Sequence, residues 1–233
     1  MKIIAFETSA KAGSVALLED GKLLGESYQN TGLTHSQTLM AMAEDLLKSA
    51  GLSVKDVEAV AVAAGPGSFT GVRIGVAAAK GLAWGGQLPC YGVSTLESMA
   101  RNLGAWNGFV VCAMDARRSQ VYNAVFEAKD GTLTRLCEDR AISLEELGEE
   151  LKNTEKAIFL VGDGSILCYN TLKDSVKNLV LAPEHRMHQR ATGVGLAAYE
   201  MILRGEPGDG KALEPNYLRL SQAEREKLAK EQK

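Results

Sequence analysis

The chain has 233 residues with 45% hydrophobic content, room for one large domain or two small ones around a real core. Its formal net charge of -3 gives no general argument for nucleic-acid binding. No run of about 18 apolar residues is present to span a membrane, Glu7 comes too early for a signal peptide, and Cys90, Cys112, Cys137 and Cys168 form no C-x-x-C pair and imply no disulfide framework, so a soluble cytoplasmic protein is expected.

In chain order, residues 2–8 and 14–19 read as strands around the turn Ala10-Lys11-Ala12-Gly13. Asp20-Gly21 is a hairpin signal leading to a third strand at 22–28. A helix over 34–50 follows, opened by a Thr34/Gln37 capping box and stopped at Gly51. Its apolar residues, Leu39, Met40, Met42, Ala43, Leu46, Leu47 and Ala50, span roughly 160°, against the roughly 100° that a surface helix needs. Glu44, Asp45 and Lys48 take what is left. Met40 and Met42 suit either a core or an adaptable surface.

An apolar strand at 57–64 runs into Gly65-Pro66-Gly67-Ser68-Phe69-Thr70-Gly71-Val72-Arg73-Ile74-Gly75 and a helix over 70–84. Glycine there allows positive φ in the turn and close approach by the first helical turn. Ser68 or Thr70 can cap this helix and leave an anion-attracting amino end. The Walker pattern is absent, because Val72 and Arg73 follow Gly71, and the dinucleotide pattern fails at Thr70. A generic anion site stays open. Gly71, Gly75, Ala78, Ala79 and Leu82 share one side of the helix, with Val72, Val76 and Ala83 beside them. Arg73 and Lys80, with Trp84 nearby, mark the polar stripe. A helix so apolar is buried on more than one side, either by the sheet and another helix or by its own core and a partner. The partner surface expected on the two helices comprises Leu39, Met42, Ala43, Leu46, Gly71, Ile74, Gly75, Ala78, Ala79 and Leu82.

A short strand at 89–93 and a helix from Thr95 to about Leu103 complete the first pass. The plan then restarts. Strands at 109–114 and 120–128 flank the turn Asp115-Ala116-Arg117-Arg118, and Asp130-Gly131 turns into a strand near 132–137. Ser143 and Glu146 box a helix to Leu151. A strand at 158–161 ends at Gly162-Asp163-Gly164, followed by a helix near 165–173, a strand at 179–182 and a helix at 191–204. Two related α/β domains are expected. The charged segment Ser221–Lys233 reads as a frayed helix or disorder, with Ser221 and Glu224 as a possible cap.

Glu7-Thr8-Ser9, the glycine-rich motif, Met114-Asp115-Ala116-Arg117 and Pro215-Asn216-Tyr217-Leu218-Arg219 together resemble the bacterial TsaB family, also called YeaZ. The resemblance covers essentially the whole chain. It implies an α/β fold of two duplicated actin/Hsp70-like (ribonuclease H-like) domains, mixed sheets flanked by helices, at 1–106 and 107–220. It further implies a noncatalytic subunit that supports TsaD, the paralogue that forms threonylcarbamoyladenosine beside the anticodon of tRNAs reading ANN codons. TsaE, a homodimer when TsaD is absent, and tRNA reached through the complex are the other implied partners. No cofactor or metal is implied, with nucleotide only at an interface within the complex.

His185 and His188 stand three apart next to Pro183, in what reads as a loop rather than a metal site. Arg186 and Arg190 join them in a small basic cluster, either solvated or in contact with RNA phosphate. His35 reads as a capping or surface residue. The alternative to a scaffold is an ATP-dependent small-molecule kinase of this fold, with Glu7 and Asp115 as the metal and phosphate carboxylates. The plainer readings are a hydrogen-bonded strand-end Glu7 and a turn Asp115 paired to an arginine. Ser68 as a peptidase nucleophile lacks a G-x-S-x-G elbow and a histidine partner.

Overall fold

β1 (Lys2–Glu7) and β2 (Gly13–Glu19) pair antiparallel, with Ile4 opposite Leu17 and Ala5 opposite Ala16, and β3 (Lys22–Gln29) lies on β2. A computed structural model gives this arrangement and describes residues 1–219; the tail Ser221–Lys233 lies outside them. After α1 (His35–Ser49), β4 (Ala59–Gly65) joins β1 in parallel, and after α2 (Phe69–Gly86), β5 (Cys90–Ser94) joins β4. The first sheet therefore runs β3-β2-β1-β4-β5.

The second half repeats the plan. Past α3 (Thr95–Ala100), β6 (Gly108–Asp115), β7 (Gln120–Lys129) and β8 (Thr132–Arg135) form the antiparallel part. β9 (Arg140–Ser143), a strand with no counterpart in the sequence reading, pairs with β7. α4 (Leu144–Leu151), β10 (Ile158–Val161), α5 (Ser165–Leu172) and β11 (Leu179–Leu181) follow, with β10 and β11 parallel to β6. Reading β11-β10-β6-β7-β8, the second sheet has the first sheet's topology in reverse listing. The duplication inferred from hairpin spacing is thus a property of the fold.

Alternation on the strands sets the layers. Ile4, Phe6, Val15 and Leu17 point to α1 and α2. Ile3, Ala5, Ala16 and Leu18 point to α7 (Ala191–Leu203), the last helix described. In the second sheet, Val111, Ala113 and Leu160 face α4 and α5. Val110, Cys112 and Met114 face α3, which contributes Leu96, Met99 and Ala100, and the 3-10 turn after it, which contributes Leu103. Each half therefore lends a helix to the other's sheet: α3 precedes the second sheet and covers it, and α7 follows that sheet and covers the first. The lent helices touch, because a side chain on Gly193 of α7 would strike the Ser98 backbone of α3.

Two local expectations are corrected. Thr34 is the N-cap residue of α1, but its side chain accepts no capping hydrogen bond. The segment 184–188, read as a loop, contains the short helix α6 (Glu184–Met187), which packs Met187 into the second core beneath Pro183 at its start. Ser143 and Glu146 do form their box, and Ser68 caps α2.

Candidate functional site: convergent turns beside an open helical face

The four motifs singled out in the sequence meet at the carboxyl ends of β1, β4 and β6. Thr8, just past β1, donates its hydroxyl proton to the Gly71 carbonyl (2.8 Å). A Cβ on Gly71 would collide with the Thr8 carbonyl oxygen, and one on Gly75 with the Thr8 hydroxyl. These glycines let α2 lie against the strand end, so their requirement is internal. Ser68 accepts from the Gly71 N–H (3.3 Å) and donates its own N–H to the Ser9 carbonyl (2.7 Å). Ser68 thus caps one amide of the first turn of α2 from within the chain.

The segment from Glu206 to Arg219 forms a strap along this edge. Gly208 approaches Tyr91, and Leu213 packs at Gly92. The Asn216 N–H donates to the Ala64 carbonyl (2.6 Å), close against Gly65, whose φ of +115° suits glycine. Tyr217 stacks on Phe69, the first residue of α2, with centroids 4.1 Å apart and planes at 3°. Arg73 Nε donates to the Tyr217 hydroxyl (2.7 Å), and Arg219 Nη1 to the Ala116 carbonyl (2.5 Å). The strap thereby joins the glycine-rich turn of the first half to the β6–β7 turn of the second. The sequence marked these residues only as a motif; nothing local signalled the aromatic pairing across 148 positions.

The candidate carboxylates are placed differently from one another. Glu7 is fully buried; its Oε1 accepts the Ser9 N–H (2.6 Å), and its Oε2 has no partner among the described residues. Burial pushes this carboxyl up to about 7, against the lowering effect of Ser9. Asp115 is exposed, and its Oδ1 accepts the backbone N–H of Arg117 (2.7 Å), so the arginine it pairs with contributes an amide rather than a guanidinium. Asp163, in the turn after β10, is exposed and lies near Asp115, a like charge that raises its carboxyl. Among the described residues, no three His, Cys, Asp or Glu side chains gather as a metal site. His188 contacts Glu184 (3.2 Å) rather than His185, and His35 Nε2 meets the Ala10 carbonyl (2.8 Å). Arg190 clamps Glu26 through Nε (2.9 Å) and Nη2 (2.5 Å), while Arg186 donates to the Asn102 carbonyl (2.8 Å).

The ten residues expected to face a partner divide into two sets. Leu39, Met42, Ala43, Gly71, Gly75 and Ala79 are buried within this chain, the apolar ones in the core between α1, α2 and the first sheet. They face inward because the sheet claims the same apolar arc that a partner would. Leu46, Ile74, Ala78 and Leu82 straddle the edge, packed on that core yet partly exposed. The outward face of α2 holds residues the sequence reading missed: Thr70, Ala77, Gly81 and Gly85 are exposed, and a Cβ on Gly81 or Gly85 would meet nothing within 4 Å. With Ile74 between Thr70 and Ala77, a spacing of three to four along this face was the available signal. Trp84 beside them is 87% exposed and Met40 of α1 is 48% exposed. Between the helices lies a groove of about 490 Å³, lined by Met40, Ala43, Leu47, Leu52, Val54 and Leu82 among others.

The sequence matches the family described as "TsaD: tRNA N6-adenosine threonylcarbamoyltransferase" over residues 29–227. It is 36% identical over 224 residues to the tRNA threonylcarbamoyladenosine biosynthesis protein TsaB of Escherichia coli (strain K12), covering 94% of this chain and 95% of that one. Identity to the TsaB protein of Bacillus subtilis (strain 168) is 33% over 227 residues, 96% of each. Among solved structures it is similar to YeaZ from Pseudomonas aeruginosa, with a TM-score of 0.78 and 29% identity over 93% of this chain and 99% of that chain.

Proposed function

Because the chain belongs to the TsaB (YeaZ) family and so takes part in tRNA threonylcarbamoyladenosine biosynthesis, we propose that it is the noncatalytic scaffold on which TsaD docks. The observation that carries this reading is the outward face of α2. Ala77, Gly81 and Gly85 let a second helix approach closely, and Ile74, Leu82, Met40 and Trp84 supply exposed apolar surface around them. The partner is a helix of TsaD, or the same face of a second copy when TsaD is absent. TsaE and tRNA join through that assembly, in the cytoplasm. The enclosed Glu7 supports a lack of phosphoryl chemistry in this chain.

Light scattering after gel filtration, on the chain alone and mixed with TsaD, tests the reading. A homodimer that exchanges into a heterodimer is expected. Gly81→Arg places a long cation on the open face without touching the chain's own core, so the folded variant should fail to coelute with TsaD. Coelution equal to wild type would overturn docking on α2. The second reading, a small-molecule kinase, is favoured by one observation, the neighbouring Asp115 and Asp163 carboxylates at the ends of β6 and β10. It expects ATP turnover by the chain alone, lost in Asp115→Asn.

A further inference from the structure

Ten arginines lie in the described residues. Five hold carboxylates: Arg101, Arg135, Arg140, Arg190 and Arg204. Of the five with no carboxylate within 4 Å among the described residues, four converge where the strap crosses the two turns: Arg73, Arg117, Arg118 and Arg219. Their proximity follows from the bonds already given. Arg73 holds Tyr217, Arg219 holds the Ala116 carbonyl, and Arg117 and Arg118 come next in the chain.

Charge separates this place from the rest of the molecule. The segments 65–80, 115–120 and 214–219 carry five basic residues, Lys80 with the four arginines, against Asp115 and Glu214 in the same segments and Asp163 beside Asp115. The whole chain has 26 basic and 29 acidic residues. The side chains are also presented deliberately. Arg117, Arg118 and Ser119 all have left-handed backbones, with φ of 62°, 57° and 54°, which L side chains rarely adopt and which cluster where function demands them. Both arginines are exposed there. Between the two arms of the patch, Tyr217 presents a ring that is 37% exposed, stacked on Phe69 and within 5.5 Å of the Arg73 guanidinium.

We propose that this patch binds RNA directly, taking the phosphate backbone of a tRNA on Arg117, Arg118 and Arg219, with Tyr217 at the edge where an unpaired base can stack. Guanidiniums with no carboxylate partner among the described residues, beside an exposed ring, match single-stranded and loop RNA, where phosphate contacts set register and aromatic rings take splayed bases. The proposal rests on the scaffold reading for the identity of the RNA, and it departs from that reading by giving this chain its own contact with it.

The test uses the full chain and fluorescein-labelled tRNA, followed by anisotropy over a salt series. Binding that weakens steeply with salt is expected. The exposed double variant Arg117→Gln/Arg118→Gln should bind less tightly, with a log–log salt slope shallower by about 1.4 to 1.8, the value for two lost phosphate contacts. Arg117→Lys/Arg118→Lys, which keeps the charge, should restore most of the slope. No salt-dependent binding by the wild type, or a glutamine variant equal to it in affinity and slope, overturns the proposal. The same variants are then mixed with TsaD. Unchanged coelution is expected. If they lose TsaD while keeping RNA, the patch is a protein contact and the proposal fails. A wild type that binds RNA but ignores TsaD would instead sink the scaffold reading alone.

Discussion

Glu7 shows what burial does to a single group. Its carboxyl protonates near pH 7 in the folded chain, against an ordinary value of 4.5 once unfolded. Between those values the folded state holds more protons than the unfolded state, so stability falls as pH rises from about 4.5 to 7 and stays lower above. The full difference is about 3 kcal/mol at most. Glu7→Gln keeps the acceptor for the Ser9 N–H and removes the titration. Urea midpoints measured from pH 5 to pH 8 should therefore fall for the wild type and fall markedly less for the variant. Parallel curves would mean that Glu7 is solvated. The sequence supplied the strand-end position and the hydrogen bond, and both hold. It did not supply the protonation, because that depends on what the folded chain packs over the side chain.

α2 carries two kinds of glycine, packed in its first turns and open in its last. Gly71 and Gly75 sit against Thr8, and Gly81 and Gly85 sit against nothing. Gly71→Ala should cost about 1–3 kcal/mol, because backbone must shift to admit the methyl. Gly81→Ala should instead stabilise the isolated chain by about 0.5–1 kcal/mol, through helix propensity alone. Chemical denaturation of both variants checks the contrast; equal effects would refute the assignment of faces. The sequence correctly showed that this helix is apolar and small nearly all round. It could not say which side the sheet takes, since sheet and partner ask for the same residue types. For that reason six of the ten expected contact residues proved internal, while Ala77, Gly81 and Gly85 passed unnoticed. The hairpins and most helices were legible because their turn and cap signals are local. The strap's contacts were not, because stacking between Phe69 and Tyr217 has no local signature.

At the scale of the molecule, the exchange of α3 and α7 ties the halves together. A cut between residues 106 and 107 separates the sheets but leaves each without a covering helix. The fragment 1–106 would expose Ile3, Ala5, Ala16 and Leu18, and the fragment from 107 onward would lack Leu96, Met99 and Leu103. Neither fragment should fold alone, and mixing them should restore structure, as read by circular dichroism or amide proton spectra. An independently folded first fragment would show that α7 is dispensable to its sheet. The same crossing has a consequence on the ribosome. β5 ends at Ser94 but α7 ends at Leu203, so a nascent chain carries its first sheet with one face bare while roughly a hundred further residues are made. At ordinary elongation rates this lasts about 5 to 20 seconds. During that interval the growing polypeptide offers a wet, apolar strand surface to whatever chaperone waits at the exit tunnel, and release comes only once α7 has emerged.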